Sequence, residues 1–495
     1  MSRLSFVLDP RVTGFAVPLL LIVAFAALYA VGVELEVILI LTIAAVTGLV
    51  LLSRPSFQIV VGAIIIAIIV NMGGYSFLSH TMTGEPVRSA SSRIASAAVP
   101  IMLLVSSLIV FTRHSAGLWA YLRRNWDVLL FIVVSLFSTA FAFNVSRTLQ
   151  YVVWFTVSLC SALFFWYFVA RRMDLERAGT FLAAVLLVAY APFLAFALPG
   201  VVSYTGQHLR AWFAPGPFYA YAAVGVYASA LILMTIDRKS FREKLIRYIP
   251  SPVIAAVGLF SVVSVIYSSK RSTIVAVAIV TIVFVVGRMF VNERRRRAAS
   301  LFRTVALAAA LVGVAVWAVP RAERTMMRFG RVVDPTVEDG SLDARRNIYQ
   351  NSLYVYSKYP VFGVGLTNGD NATRELLPNA KKSGSPLHNT FLGILVEFGT
   401  VGMLLFLLMA VRSAIYFFKL PSKRFKFQIL LLGVAPALVS ITEYNLTPGQ
   451  ALFWPLWLTV LAPRIMTAFP APLSSAPPAP PSSALPAPLP FGTDR

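Results

Sequence analysis

Residues 385–410 read SPLHNTFLGILVEFGTVGMLLFLLMA. The opening residues close a polar stretch that begins at residue 321, and the remainder is an apolar run long enough to cross a bilayer, with Glu397 its one charged side chain. Upstream of residue 321, similar apolar runs succeed one another, separated by short polar connections. A single long hydrophilic excursion in a chain otherwise built for lipid is where chemistry in water can take place.

The composition agrees with that reading. Hydrophobic residues make up 58% of the chain, charged residues 13%, and mean hydropathy is +0.77. Soluble domains sit nearer half apolar and a quarter charged. The fold class expected is therefore all-α, a polytopic integral membrane protein. Apolar runs predict helices near 12–33, 37–53, 57–78, 94–112, 127–143, 149–170, 179–199, 216–236, 252–268, 273–290, 304–320, 390–410, 428–442 and 449–466. That is fourteen spans, or twelve if two of the short runs 37–53, 127–143 and 428–442 are re-entrant or merged. The first run is too long for a signal-peptide core and lacks a small-residue cleavage site, so it reads as a retained helix. Four segments result: 1–320 with the first eleven spans, a large loop at 321–388, a C-terminal helical part at 389–467, and a tail at 468–495. Its proline and alanine content makes the tail a disordered extension.

Charge sets the orientation. Connections on the N-terminal side of the membrane, with Arg3, Arg11 and Arg464, hold 26 of the 43 Lys and Arg residues, against six in the short connections of the other side. The positive-inside rule then places both termini in the cytoplasm and the 321–388 loop outside it, in the periplasm of a Gram-negative cell. Most of the net charge of +23 serves topology near anionic headgroups. No basic stripe with interleaved aromatics appears, so nucleic acid is not an expected partner, and Arg294 to Arg297 read as a cytoplasmic anchor. The one cysteine, Cys160, lies in a predicted span, which excludes an intrachain disulfide and a multi-cysteine metal site. Acidic residues between 12 and 320 fall in loops or at helix ends, which disfavours a proton- or cation-coupled carrier. Glu34 and Glu36 are a weak candidate for an acidic metal motif outside the membrane.

Three groups of residues can carry chemistry. In the loop, Ser341 can cap a helix with Asp343 in its first turn, running through Tyr356 to a stop at Pro360 and Gly363. Arg345, Tyr349, Ser352 and Tyr356 share one face of it, with Arg346 about 100° around. Such a face suits sugar rings and phosphates, or equally packs the loop onto the membrane domain. Next, Ser385 as N-cap and Pro386 at the first helical position put His388 in the first turn of the following helix, where the dipole favours an imidazole able to accept a proton. His388 is then a base at the membrane boundary, or an interfacial histidine bonded to a headgroup. Glu397, nine residues on, falls on the opposite face and reads as a structural carboxylate. Finally, Lys270, Arg271, Arg210 and Arg147 stand where topology gives no reason for cations. They can cradle a pyrophosphate through bidentate bonds, or anchor helix ends.

The order Arg345-Arg346, Tyr359-Pro360-Val361-Phe362-Gly363-Val364-Gly365, Leu387-His388-Asn389-Thr390-Phe391-Leu392, then Glu397-Phe398-Gly399 and Gly402 resembles the large loop and following helix of the O-antigen ligase and polymerase superfamily. Arg210-Ala211-Trp212-Phe213-Ala214-Pro215 and Ser269-Lys270-Arg271-Ser272-Thr273 resemble two further segments of it, with Ser272 where the family usually has glycine. The resemblance runs from about 206 to 402. It implies a glycosyltransferase of the bacterial inner membrane that takes a glycan from undecaprenyl pyrophosphate at the periplasmic face and passes it to an acceptor sugar hydroxyl. The acceptor is lipid A core for a ligase, the reading we favour, or a growing polysaccharide for a polymerase. In that scheme His388 is the general base, and Arg210, Arg271 and one of Arg345 or Arg346, with Lys270, hold the pyrophosphate. Asn389 and Tyr349 support the site, and neither a metal nor another cofactor is expected. From a different class, a flippase or exporter of lipid-linked glycans would leave the glycosidic bond unchanged.

Overall fold

A computed structural model describes residues 56–77, 90–202, 216–235, 251–268, 271–291, 340–380, 387–445 and 452–467. The predicted spans at 12–33, 37–53 and 304–320, the tail from 468, and the residues Arg210, Lys270, Ser341, Ser385 and Pro386 as side chains lie outside what is described. Among the described residues every regular element is helical. In chain order these are α1 (Ser56–Phe77), α2 (Ala90–Arg124), α3 (Trp126–Ser138, prolonged by a 3₁₀ turn Thr139–Phe141), α4 (Val145–Arg172), α5 (Leu175–Val202), α6 (Gly216–Met234) and α7 (Ser251–Ser268). They continue with α8 (Arg271–Val291), α9 (Gly340–Lys358), α10 (Gly369–Leu376), α11 (Thr390–Lys419), α12 (Lys423–Thr442) and α13 (Phe453–Met466). Four helical segments, Val99–Arg124, Val145–Arg172, Thr390–Lys419 and Lys423–Thr442, are long and apolar enough to cross a membrane, and shorter apolar helices accompany them. The molecule is thus an all-α polytopic membrane protein.

Helix starts follow side-chain capping. Asn144 accepts from the Arg147 amide at 2.9 Å, and Ser422 from the Phe425 amide at 3.1 Å, each satisfying a donor that the first turn leaves open. Two runs prove longer than their apolar cores indicated. The 94–112 run belongs to α2, kinked at His114, and the 428–442 run to the full-length α12. Charged and aromatic ends such as Arg123, Arg124 and Lys423 are helical without being apolar, so a hydropathy reading stops short of them.

The core is a wedge of aromatic rings. Phe131 of α3, Phe155 of α4, Phe398 of α11 and Trp457 of α13 meet with centroids about 5.4–6.4 Å apart. Trp166 of α4 donates its indole N–H to the Leu458 carbonyl of α13 at 2.8 Å, which answers the polar atom that a buried tryptophan brings with it. Around this centre α5, α6 and α7 pack as consecutive neighbours, while α8 lies on α12 and α3 on α11. Outward-facing side chains such as Ile101, Leu404 and Phe418 are exposed and apolar, the face a bilayer would cover.

The two ends of the bundle differ in chemistry. At one end stand Arg124, Arg171, Arg172, Arg412, Arg424 and Arg464. Asp127, wholly buried at the start of α3, holds Arg464 bidentately, one bond at 2.8 Å, and Arg412 at 2.8 Å, joining α3, α11 and α13. At the far end of α11, two residues before its first, stands His388.

Candidate active site

The backbone at the start of α11 is set by its neighbours. Asn389, not Ser385, is the N-cap: its side-chain oxygen accepts from the Leu392 amide at 2.9 Å while its amide donates to the Ile441 carbonyl at 2.9 Å. His388 therefore precedes the cap instead of occupying the first turn, because Asn389 reaches both its own helix and the end of α12. Thr390 adds a second tie. Its hydroxyl donates to the Glu443 carbonyl at 2.8 Å and accepts from the Asn445 amide at 2.9 Å. The link after α12 is thereby stitched onto the start of α11.

That stitching brings Glu443 to His388. Nδ1 of the imidazole lies 3.2 Å from Oε2 of the carboxylate, and Arg345 of α9 approaches the other oxygen with Nη2 at 3.7 Å. The His388 side chain is 37% exposed and that of Glu443 14%, so the ring is open to water and its acidic neighbour largely is not. Tyr349, one turn along α9, donates its hydroxyl to the His388 carbonyl at 3.2 Å. Tyr356, two turns further, shares a 2.8 Å hydrogen bond with Thr400. The α9 face drawn from spacing thus lies along the first half of α11, while Arg346 is exposed on another side. Tyr221 of α6 is buried, makes no hydrogen bond of normal geometry, and lies beside both Glu443 and Ser272. Ser272 is the second residue of α8, which begins at Arg271, so the backbone of Arg271 enters this neighbourhood. Nothing is described of that arginine's side chain, and Arg210 and Lys270 lie outside the described residues.

Beneath the histidine, α11 is broken. Gly399 has φ +68° and ψ −167°, far from helical values. Carbonyls freed by the break accept from the 359–365 segment, Val364 N to Val396 O and Gly365 N to Glu397 O, both at 3.0 Å. The amides freed on the other side donate back, Thr400 to Pro360 O at 2.8 Å and Val401 to Val361 O at 3.2 Å. The 359–365 segment is thus a strap across the broken helix, and its Gly363 and Gly365 also have positive φ. A side chain on Gly399 would run into the Val361 carbonyl, which is why the contact with the strap needs glycine there. Glu397, buried at the break, accepts a short hydrogen bond from Tyr444. Burial first, and then the Glu397 carboxylate, push the Tyr444 hydroxyl well above its ordinary range, so it remains a donor. Asp370 pairs with Arg147 at 3.7 Å, which gives that arginine a partner within the protein.

Glu443 is the residue that sequence reading missed. The available signal was an acid in Thr442-Glu443-Tyr444-Asn445, a connection expected on the same side as His388. Among the described residues no group of three or more His, Cys, Asp or Glu side chains is placed to hold a metal ion.

Apolar helices long enough to cross a bilayer, with a histidine, carboxylate and arginine cluster at one end, define an integral membrane protein with a candidate site at that end of the bundle. Residues 255–407 match the family model described as O-antigen ligase, so the resemblance to the O-antigen ligase and polymerase superfamily is shown over that segment. The match takes in α8, α9, α10, His388 and the broken half of α11, and stops short of Glu443. No curated protein matches the chain.

Proposed function

We propose that this membrane glycosyltransferase of the O-antigen ligase and polymerase type moves a glycan from undecaprenyl pyrophosphate to a sugar hydroxyl at the periplasmic face, with lipid A core as acceptor. The observation that carries the reading is the His388 imidazole set against the Glu443 carboxylate, with Arg345 on the same acid. Glu443 accepts from Nδ1–H, which leaves Nε2 as the base and fixes the ring's orientation. The acceptor hydroxyl gives its proton to Nε2 as its oxygen bonds to the anomeric carbon, while the bond from that carbon to the pyrophosphate oxygen breaks and its electron pair leaves with the lipid. A positioned base of this kind contributes about 10²–10⁴ in rate. The negative charge growing on the leaving group calls for cations. Arg345, Arg271 and Arg210 are the candidates, with Arg346 and Lys270 in reserve, since a guanidinium binds phosphate oxygens as a fork. Arg345 contacts Glu443 at the long distance of 3.7 Å and is one third exposed, which leaves donors for a ligand.

The test is purified protein in liposomes with a glycan on lipid pyrophosphate, offered lipid A core or a second repeat unit. Transfer to core supports a ligase. Transfer to the repeat unit alone would mean a polymerase, and an intact donor with movement across the bilayer a flippase.

A further inference from the structure

The strap's outward surface is not that of a loop in water. Val361 is 52% exposed, and Phe362 beside it stacks on Phe141, centroids 5.3 Å apart, and meets Phe137 at 4.9 Å. Phe137 and Phe141 end a stripe on α3 that also contains Leu130 and Val133, all exposed and on one helical face. A bilayer would cover that apolar stripe, and Val361 with Phe362 prolongs it. Depth can be judged from the basic end, where Trp126 stands under the Arg412 guanidinium and Asp127 binds Arg464. The thirteen residues of α3 rise about 20 Å and its 3₁₀ turn about 6 Å more, so Phe141 stands about 25 Å from that level. Along α11, Gly399 lies thirteen residues from Arg412, about 20 Å. Both distances are inside the ~30 Å of a hydrocarbon core. Non-helical backbone at such depth is tolerated only if its polar groups are answered within the protein. Four reciprocal hydrogen bonds between strap and broken helix answer the Pro360 and Val361 carbonyls and the Val364 and Gly365 amides, and the Gly363 amide turns back to the Tyr359 carbonyl.

We propose that the strap is a re-entrant element seated in the outer leaflet, with Val361 and Phe362 against acyl chains and the strap supplying the lipid-facing cover that α3 is too short to provide. Part of the segment read as a periplasmic loop then dips into the bilayer, tying α9 and its Arg345 to the leaflet. This placement is independent of the transfer chemistry, and an inactive His388→Ala protein would show it equally.

The experiment starts from Cys160→Ser, which removes the only thiol. Val361→Cys is then labelled with an environment-sensitive fluorophore in proteoliposomes and compared with Leu404→Cys on the apolar outer face of α11 and Gln350→Cys on the exposed face of α9. The expected result is blue-shifted emission at 361, quenched by spin-labelled phospholipid as at 404 and shielded from aqueous iodide. Iodide quenching at 361 equal to that at 350, without quenching by lipid, overturns the proposal. Val361 is exposed and its replacement removes only a methyl-sized group, so the fold should survive.

Discussion

At the scale of single residues, the proposed chemistry depends on two side chains from different parts of the chain. His388→Ala should leave the protein in the membrane and cut glycan transfer by about a hundredfold or more, the usual worth of a general base. Quantifying lipid-linked donor consumed per minute checks this, and near-normal transfer would remove the histidine from the mechanism. Glu443→Gln keeps the shape and loses the charge that holds the ring. Expected is a fall in kcat on the order of tenfold or more with KM little changed, because orientation in the transition state is affected more than ground-state binding. Glu443→Asp should recover part of the rate. A rise in KM at constant kcat would instead place Glu443 in substrate binding. His388 and its neighbour Asn389 could be found in the sequence because they border an apolar run. Glu443 also borders an apolar run, but 55 residues separate it from the histidine, and their pairing shows only once the hydrogen bonds through Thr390 and Asn389 bring them together.

At the scale of elements, the break at Gly399 is the feature on which the site's floor rests. Gly399→Ala would force a side chain into a backbone conformation that only glycine adopts readily, at about 1–3 kcal/mol, and against the Val361 carbonyl as well. The expected outcome is a lower melting temperature in detergent together with loss of transfer. Gly62→Ala in α1, where nothing lies within 4 Å of the added carbon, should change neither. A Gly399→Ala protein as stable and active as the parent would mean that the strap can detach without consequence. Hydropathy and spacing located α9 and its inner face, yet they gave no hint that α11 is interrupted. Glu397-Phe398-Gly399-Thr400 is compatible with a continuous helix until the strap competes for its hydrogen bonds.

At the scale of the whole molecule, the two chemically distinct ends organise the bundle. Asp127→Ala would leave Arg464 buried without its counter-charge and take from Arg412 its acidic partner, leaving it the Trp126 ring and the Arg124 carbonyl. Breaking a buried pair in this way costs about 3–5 kcal/mol. Thermal unfolding in detergent should show that loss, whereas an unchanged midpoint would mean that water or lipid phosphate substitutes for the acid. Orientation is a second prediction at this scale. In sealed right-side-out vesicles of a Cys160→Ser protein, a membrane-impermeant maleimide should label Gln350→Cys at once and Lys423→Cys only after lysis. The reverse order would place His388 in the cytoplasm and end the periplasmic reading.

Most of the helices described were legible beforehand because a bilayer imposes length and apolarity on any segment that crosses it, and both are properties of contiguous residues. Charge asymmetry is likewise a sum along the chain, so the expected orientation needed no coordinates. Partnerships between distant segments were decided by packing alone: the Asn389 cap reaching α12, the carboxylate behind His388, the strap filling a gap in α11, and Asp127 gathering two arginines. Asp127 and the strap's reciprocal bonds satisfy polar groups that burial would otherwise leave unpaired, and in every case which group meets which is settled only when the helices are in place.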